Sequence, residues 1–346
     1  MKRRSFLKQA VATVAIGAGG CISDRRTSGS IGATRGIIVS VRDLSGMLDW
    51  PSLAREAGLT TIATHIGPHD VMLFMRSGRG TRFADACACN GIRMEHELHA
   101  LDWLLPRMMF ASEPSLFRMN TKGERTPDSN CCPSNPFALE IIVGRAVEVA
   151  RICHSTTGRY FYWMTDNGEK CNCSKCKHLS STDQALIVEN AIVRALRTEI
   201  DPNATLAHLA YQNTMDPPQF VKPDPNLFLE FAPFERWCVK GVPRRDPLTE
   251  GGLWLEKLDR LLEVFPVATS QVLEYWLDAS LFSCWRKPLV RIPWDAARTR
   301  DEIAAYRKRG IRNITTFAVN VDDDYIADFG LDSLACVYEY GRLLSE

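Results

Sequence analysis

The chain has 346 residues, with 42 Lys and Arg against 41 Asp and Glu, so its formal net charge is +1. This balance offers no strongly basic surface to a polyanion and argues against nucleic acid as a partner. The 12 cysteines are many for a cytosolic enzyme and favour an exported protein. The length suffices for one large hydrophobic core.

The N-terminus has the features of an export signal. Residues 2–8 (Lys-Arg-Arg-Ser-Phe-Leu-Lys) are typical of a twin-arginine signal, and the apolar stretch behind them is too short to span a bilayer. The residues before Cys21 fit a lipoprotein processing site, so we predict a lipid anchor on Cys21. Residues 1–21 are thus a predicted signal and residues 22–34 a flexible tether. We expect a periplasmic or cell-envelope protein that contacts the membrane through this anchor.

From residue 35 onward, strand-forming runs alternate with helical patterns. The predicted strands are residues 36–43, 59–65, 92–98, 160–165, 205–211, 226–231, 269–275 and 313–319. The predicted helices are residues 50–57, a zone within 71–90, 136–154, 182–200 with Thr182 as its cap, 253–265, 299–309 and 326–344.

Eight strands that alternate with helices predict an α/β fold, a (β/α)8 TIM barrel that forms one domain over residues 35–346. Long irregular loops are expected after strands three, four and five, and the four prolines within residues 212–225 argue against a full helix there. A doubly wound open sheet is the alternative, but no glycine-rich phosphate turn follows strand one.

In barrel enzymes the catalytic groups lie at the carboxyl ends of the strands. Asp166 follows strand four, Glu230 lies on strand six and Glu274 lies on strand seven. Paired carboxylates beside aromatic side chains suit glycoside cleavage, in which one acid protonates the leaving oxygen and a second carboxylate attacks the sugar or activates water. We predict Asp166 as the acid and Glu274 or Glu230 as its partner. The structural alternatives are a loop-ordering role for Asp166 and a salt bridge for Glu274.

Further polar and aromatic side chains at the strand ends are candidates for substrate binding. They are His65, His96, His99, Tyr211, Asn213 and Trp276. Each could instead be a satisfied structural histidine or a core aromatic residue. A metal-dependent hydrolase that uses His65, His96 or His99 is a third possibility, and it needs an open coordination site.

Cys171, Cys173 and Cys176 have the spacing C-x-C-x2-C in the loop after Asp166. Such thiolates could hold a structural zinc if a fourth ligand comes from Cys131, Cys132 or, less favourably, His178. Disulfides are the competing interpretation, because an oxidising compartment favours them. Four cysteine ligands leave no open position, so we expect no cofactor to be required for catalysis.

Three pieces of the sequence are similar to the family known as domain of unknown function 4838. They are His99 with Leu104 to Pro106, residues 113–117 and 123–125 and Cys132 to Pro136; Asp166 with the three cysteines; and residues 209–214 with Pro217, Pro218, Glu230 to Pro233 and Arg236. The family resembles the barrel glycoside hydrolases that include α-glucuronidases and β-hexosaminidases. The resemblance implies a carbohydrate-facing cleft and favours Cys132 as the partner of the cysteine cluster.

One departure concerns mechanism. Hexosaminidases that use the acetamido group of their substrate carry an Asp-Glu pair after strand four, whereas Asn167 follows Asp166 here. The predicted function is therefore an exported, lipid-anchored, glycoside hydrolase-like protein that hydrolyses a poly- or oligosaccharide. The alternative is a non-catalytic carbohydrate-binding surface lipoprotein.

Overall fold

The computed structural model describes residues 32–166, 168–248 and 252–346. Eight parallel strands close into a barrel in which each strand pairs with its neighbours in the sequence and the last pairs with the first. This closed barrel with helices between its strands confirms the predicted (β/α)8 fold. The strands are β1 (Arg35–Ser40), β2 (Thr61–Ile66), β3 (Arg93–His99), β4 (Arg159–Trp163), β5 (Thr205–Ala210), β6 (Leu227–Phe231), β7 (Gln271–Glu274) and β8 (Asn313–Phe317).

The helices follow the predicted pattern, except that two short helices, Leu101–Leu104 and Ala279–Phe282, were not predicted and three predicted helices differ in extent. The helices are α1 (Trp50–Glu56), α2 (Pro68–Met75), α3 (Gly78–Asn90), α4 (Leu101–Leu104), α5 (Pro136–Ile152), α6 (Ser181–Glu199), α7 (Leu253–Leu262), α8 (Ala279–Phe282), α9 (Ala296–Lys308), α10 (Asp323–Phe329) and α11 (Ala335–Ser345). The zone within residues 71–90 contains two helices, because Ser77 caps the second one by accepting from the Gly80 amide at 3.2 Å. The predicted helix 326–344 is interrupted at Gly330, whose φ of 76° is left-handed.

The third difference is the start of α6. Its N-cap is Ser180 rather than Thr182, because Ser180 and Asp183 satisfy each other's backbone amides in a capping box. The Thr182 hydroxyl instead donates to the Asp216 carbonyl at 2.7 Å. Between β5 and β6 the described secondary structure is one short 3-10 turn, Gln212–Thr214, so this barrel wall is irregular as predicted.

Side chains of the strands alternate between the barrel lumen and the helix layer. The lumen is a packed core with polar groups at its centre. Arg159 enters it from β4, with Nη1 2.8 Å from Gln271 Oε1 and 4.0 Å from Glu95 Oε1. Above this layer the lumen widens towards the carboxyl ends of the strands, which is where the chemistry of a barrel is expected.

No helix within the described residues is long and apolar enough to cross a membrane. The predicted signal (residues 1–21), its anchor Cys21 and most of the tether lie outside the described residues. They stay predictions.

Candidate active site

A cavity of about 390 Å³ opens at the carboxyl ends of the strands. Such a volume is typical of a small-molecule site. A second groove of about 520 Å³ shares Asp166, Tyr211, Phe234 and Trp285 with this cavity and continues to a small hairpin near Lys240. The cavity is lined mainly by polar and aromatic side chains, among them Ser40, His65, His99, Trp163, Asp166, Tyr211, Phe234, Tyr275, Asp278, Trp285, Phe317 and Asn320.

Asp166 lies on an exposed turn after β4 and lines both the cavity and the groove. The loop after β3 holds this turn, since Asn130 Oδ1 accepts from the Thr165 amide at 3.2 Å. The loop after β5 holds it as well, because Asn213 Nδ2 donates to the Gly168 carbonyl at 3.2 Å. Asn213 therefore orders the turn that carries the carboxylate.

Tyr211 lies beside Asp166. Burial raises the pKa of Tyr211 well above its ordinary value, and the charge of Asp166 and a hydrogen bond to it raise it further. Tyr211 thus stays a neutral phenol, and it also accepts from Gln212 Nε2 at 3.1 Å.

Asp278 is a second carboxyl group in the same cavity, and the sequence interpretation did not include it. It follows β7 and caps α8, with Oδ1 accepting from the amides of Ser280 and Leu281, both at 3.1 Å, and from the Ser280 hydroxyl at 2.6 Å. Burial raises the pKa of Asp278 to about 6, against the lowering effect of these hydrogen bonds. Because all three bonds end on Oδ1, the proton of the neutral acid resides on Oδ2.

His65 and His99 also line the cavity, with ring centroids 5.3 Å apart. His65 Nδ1 lies 2.8 Å from the Glu97 carbonyl, so this nitrogen must carry the proton and Nε2 is an acceptor. Burial, followed by the nearby His99, lowers the pKa of His65 to about 3. His99 Nδ1 is buried without a protein partner, and burial lowers the pKa of His99 while Asp166 and Asp102 oppose this. Two neutral imidazoles therefore offer hydrogen bonds to a polar ligand.

The aromatic side chains form one wall of the cavity. Phe234 contacts Tyr211, Tyr275 and Trp285 with ring centroids 5.4, 5.3 and 6.4 Å apart. Trp285 is 52% exposed at the rim, which leaves part of its indole ring free for a ligand.

Backbone strain is concentrated around this wall. Six described residues other than glycine have φ between 46° and 121°, and five of them line the cavity or its groove. The five are Ile66, Gln212, Lys240, Trp285 and Asn320. Strained residues cluster where a structure is organised around a ligand, so this distribution supports a functional site.

Glu230 does not reach the cavity. It points into the lumen beneath it and accepts from Trp163 Nε1 at 2.7 Å, so the indole ring separates it from the ligand space. Gln271 Nε2 lies 3.1 Å from Glu230 Oε1 and 3.3 Å from Glu97 Oε1. Burial raises the pKa of both glutamates, and the adjacent charges raise that of Glu97 well above the ordinary value. Burial and the neighbouring Glu230 and Glu95 therefore favour the neutral form of Glu97.

Because the pKa of Glu97 is raised in the folded protein, we expect the stability of the fold to depend on pH. A carboxyl group whose pKa is higher in the folded than in the unfolded protein contributes to the free energy of unfolding at low pH. This contribution is lost as the pH rises towards the folded-state pKa. Glu97→Gln keeps the shape of the side chain and removes the group that titrates. Its stability relative to the wild type should therefore rise by up to about 1.4 kcal/mol per pH unit between pH 5 and 8.

Urea denaturation of both proteins at pH 5, 6.5 and 8 measures this difference. The exposed Glu140→Gln is the control, and it should track the wild type at every pH. A stability difference between Glu97→Gln and the wild type that does not change with pH would contradict the raised pKa of Glu97.

Glu274 and Trp276 point away from the lumen into the helix layer. Glu274 is fully buried, accepts from Trp237 Nε1 at 2.7 Å and pairs with Arg236 Nη2 at 3.3 Å. Trp276 Nε1 donates to Glu302 at 2.7 Å. The salt bridge considered for Glu274 therefore exists, with Arg236 as its partner, and these positions do not support Glu274 as a catalytic group or Trp276 as a sugar platform.

His96 also points outward, with Nδ1 2.7 Å from the Thr64 hydroxyl, and it is only 3% exposed. His65, His96 and His99 therefore do not converge on one metal position. Within the described ranges, the four cysteines Cys132, Cys171, Cys173 and Cys176 are the group whose ligand atoms come together. We call them the cysteine cluster.

The structure thus brings together Asp166, His65, His99 and Tyr211, with Asn213 behind the Asp166 turn. It places Glu230, Glu274, His96 and Trp276 elsewhere. Asp278 could have been found from the sequence, because it follows the end of β7 much as Asp166 follows the end of β4. Trp285 carries no comparable signal, because it lies in a loop remote from any strand end.

The chain is thus a (β/α)8 barrel whose cavity at the carboxyl ends of the strands is lined by two carboxyl groups, Asp166 and Asp278. The chain belongs to the family described as Domain of unknown function (DUF4838), whose model matches residues 75–252, about half of the chain. Among curated proteins none matches.

Several solved structures of glycoside hydrolases are similar to the chain at very low identity. A GH18 chitinase from Cycas revoluta, in complex with (GlcNAc)3, superposes with a TM-score of 0.50 and 8% identity over 91% of this chain and 100% of that chain. A glycoside hydrolase family 5 enzyme from Prevotella bryantii B14 gives 0.49 and 9% over 92% and 100%. Endo-glycoceramidase II from Rhodococcus sp. gives 0.49 and 12% over 83% and 73%. At 8% identity, the likeness to the chitinase concerns the fold alone.

Proposed function

We propose that the protein hydrolyses glycosidic bonds of an oligo- or polysaccharide in the cavity at the carboxyl end of the barrel. The observation that carries the proposal is the placement of Asp166 and Asp278 in one aromatic-walled cavity, in different environments. Glycoside cleavage needs two carboxyl groups of this kind, one neutral and one ionised. In this proposal the second carboxyl group is Asp278, in place of Glu274 or Glu230, which the sequence had suggested.

The different environments of Asp278 and Asp166 also indicate which group is the acid and which is the base or nucleophile. Buried Asp278, with a pKa of about 6, can hold a proton and donate it to the leaving oxygen. Exposed Asp166 is the carboxylate that attacks the sugar or activates water. This assignment changes the role of Asp166 from acid to base or nucleophile.

The remaining side chains suit a sugar. Neutral His65 and His99 can hydrogen-bond to hydroxyl groups, and the exposed Trp285 ring can pack on a sugar face. The groove beyond Asp166 provides room for further sugar units along the chain of the substrate.

Reducing-sugar release from a broad panel of plant and microbial oligosaccharides, including uronides and hexosaminides, tests the proposal. We expect the wild-type protein to cleave one substrate class at a rate well above a heat-inactivated sample. Titration calorimetry on the same panel separates the alternative function. Stable binding without bond cleavage would assign a carbohydrate-binding protein and contradict the hydrolase.

A further inference from the structure

The cysteine cluster lies between the two long loops that follow β3 and β4. Cys132 belongs to the first loop, and Cys171, Cys173 and Cys176 belong to the second. The four Sγ atoms lie within 4.8 Å of one another, and all four side chains are buried. Two chain segments therefore converge on one point through sulfur atoms.

The spacing of these atoms fits a tetrahedral ion. Four sulfurs placed about 2.3 Å from a zinc ion lie about 3.8 Å apart, and Cys132 Sγ and Cys173 Sγ are 3.8 Å apart. A disulfide needs about 2.05 Å, and all four residues are free cysteines here. The geometry favours a shared ion over two separate disulfides.

The surroundings supply donors that thiolates need. The Met119 amide donates to Cys171 Sγ at 3.3 Å, and Arg125 Nη1 lies 3.7 Å from the same sulfur. The Ser134 hydroxyl lies 3.3 Å from Cys132 Sγ and 3.8 Å from Cys173 Sγ. Donors around ligating sulfurs orient them and offset their charge, and the cationic Arg125 offsets the excess negative charge of four thiolates around a divalent ion.

The loop itself is fixed from outside the cluster. Gln184 of α6 accepts from the Cys171 amide at 2.8 Å and donates to the carbonyls of Cys171 and Cys176 at 2.9 and 3.0 Å. Cys131 belongs to the barrel core cluster instead, and His178 contacts the Phe220 ring. Cys131 and His178, the alternative ligands considered from the sequence, therefore have contacts outside the cysteine cluster.

We propose that the cysteine cluster binds one Zn²⁺ through four thiolates and that this ion ties the β3–α5 loop to the β4–α6 loop. Four protein sulfurs fill the tetrahedral shell, so the ion is structural. Because Cys171 follows the Asp166 turn after only four intervening residues, the ion also anchors the segment that presents Asp166 to the cavity.

Metal analysis of the full chain, purified without added zinc, tests the proposal. Elemental analysis should find about one zinc per chain, and X-ray absorption should show four sulfur neighbours at about 2.3 Å. Neither measurement needs a substrate, so this inference stands or falls separately from the proposed hydrolase function. Little zinc together with the loss of the four free thiols would establish disulfides and overturn it.

Adjacent cysteines provide the matched variants. Cys132→Ser should lose zinc, whereas Cys131→Ser should retain it although both residues are buried. If Cys132→Ser fails to fold, Cys132→His provides a second variant, because histidine also ligates zinc and should keep the metal. Loss of zinc from Cys131→Ser alone, with full zinc in Cys132→Ser, would overturn the assigned ligand set.

Discussion

Asp278→Asn and Asp166→Asn are each expected to lower kcat/KM by about 10²–10⁴-fold on the substrate that the panel identifies. Asparagine retains the size of aspartate and, at position 278, can still accept the α8 capping bonds through its amide oxygen. The loss would therefore reflect the missing carboxyl chemistry. Steady-state kinetics of the three proteins, at matched folded fractions, provide the measurement.

The pH dependence separates the two roles. If Asp278 is the acid, wild-type kcat/KM should fall as the pH rises through about 6, because the carboxyl group then loses its proton. The residual activity of Asp166→Asn should keep this decline, and that of Asp278→Asn should lack it. A decline that persists in Asp278→Asn would assign the acid to another group.

The control is Asp301→Asn, which changes an exposed aspartate on α9 outside the cavity. Its kinetics and melting temperature should equal those of the wild type. Full activity in Asp166→Asn or Asp278→Asn, with folding intact, would remove that residue from the mechanism.

Arg236→Met is expected to destabilise the fold by about 3–5 kcal/mol. Arg236 is fully buried and lies 3.3 Å from Glu274 Oε1 and 2.5 Å from Glu302 Oε2. Its removal leaves two buried carboxylates facing each other, with only part of their charge offset by Arg298 at 3.0 Å from Glu302. Urea denaturation at pH 7 measures the change.

Arg151→Met is the matched control, because Arg151 pairs with Glu199 on the surface and the two side chains are 61% and 48% exposed. Such a surface pair contributes less than about 1 kcal/mol. Because the Arg236 network lies outside the lumen, the folded fraction of Arg236→Met should keep the wild-type kcat/KM. A large loss of kcat/KM with unchanged stability would instead return Glu274 to the catalytic site.

Local patterns in the sequence determined the barrel. Each strand is a short apolar run, each helix has its own period and caps, and these signals need no knowledge of distant residues. Asp166 was found in the same way, because a residue directly after a barrel strand lies at the carboxyl end. The cysteine spacing likewise marked Cys171, Cys173 and Cys176 as one group, and the structure brings their sulfur atoms together with that of Cys132.

The direction of each side chain was decided by the tertiary structure. Strands in a parallel barrel are buried on both faces, so a run such as Val272 to Trp276 shows no alternation that tells lumen from helix layer. Tyr275 lies inside, and Glu274 and Trp276 consequently lie outside. The same rule places His99 inside and His96 outside on β3.

The partners of the buried charges were also a tertiary result. Glu97 and Glu230 are 133 positions apart in the numbering, and Arg236 and Glu302 are 66 apart, yet each pair meets only when the barrel closes. Burial, which raises the pKa of Asp278 to about 6, depends on the same closure. Sequence patterns therefore located the elements and one carboxylate, while the closed barrel determined which carboxyl groups face the ligand space and which are held in the core.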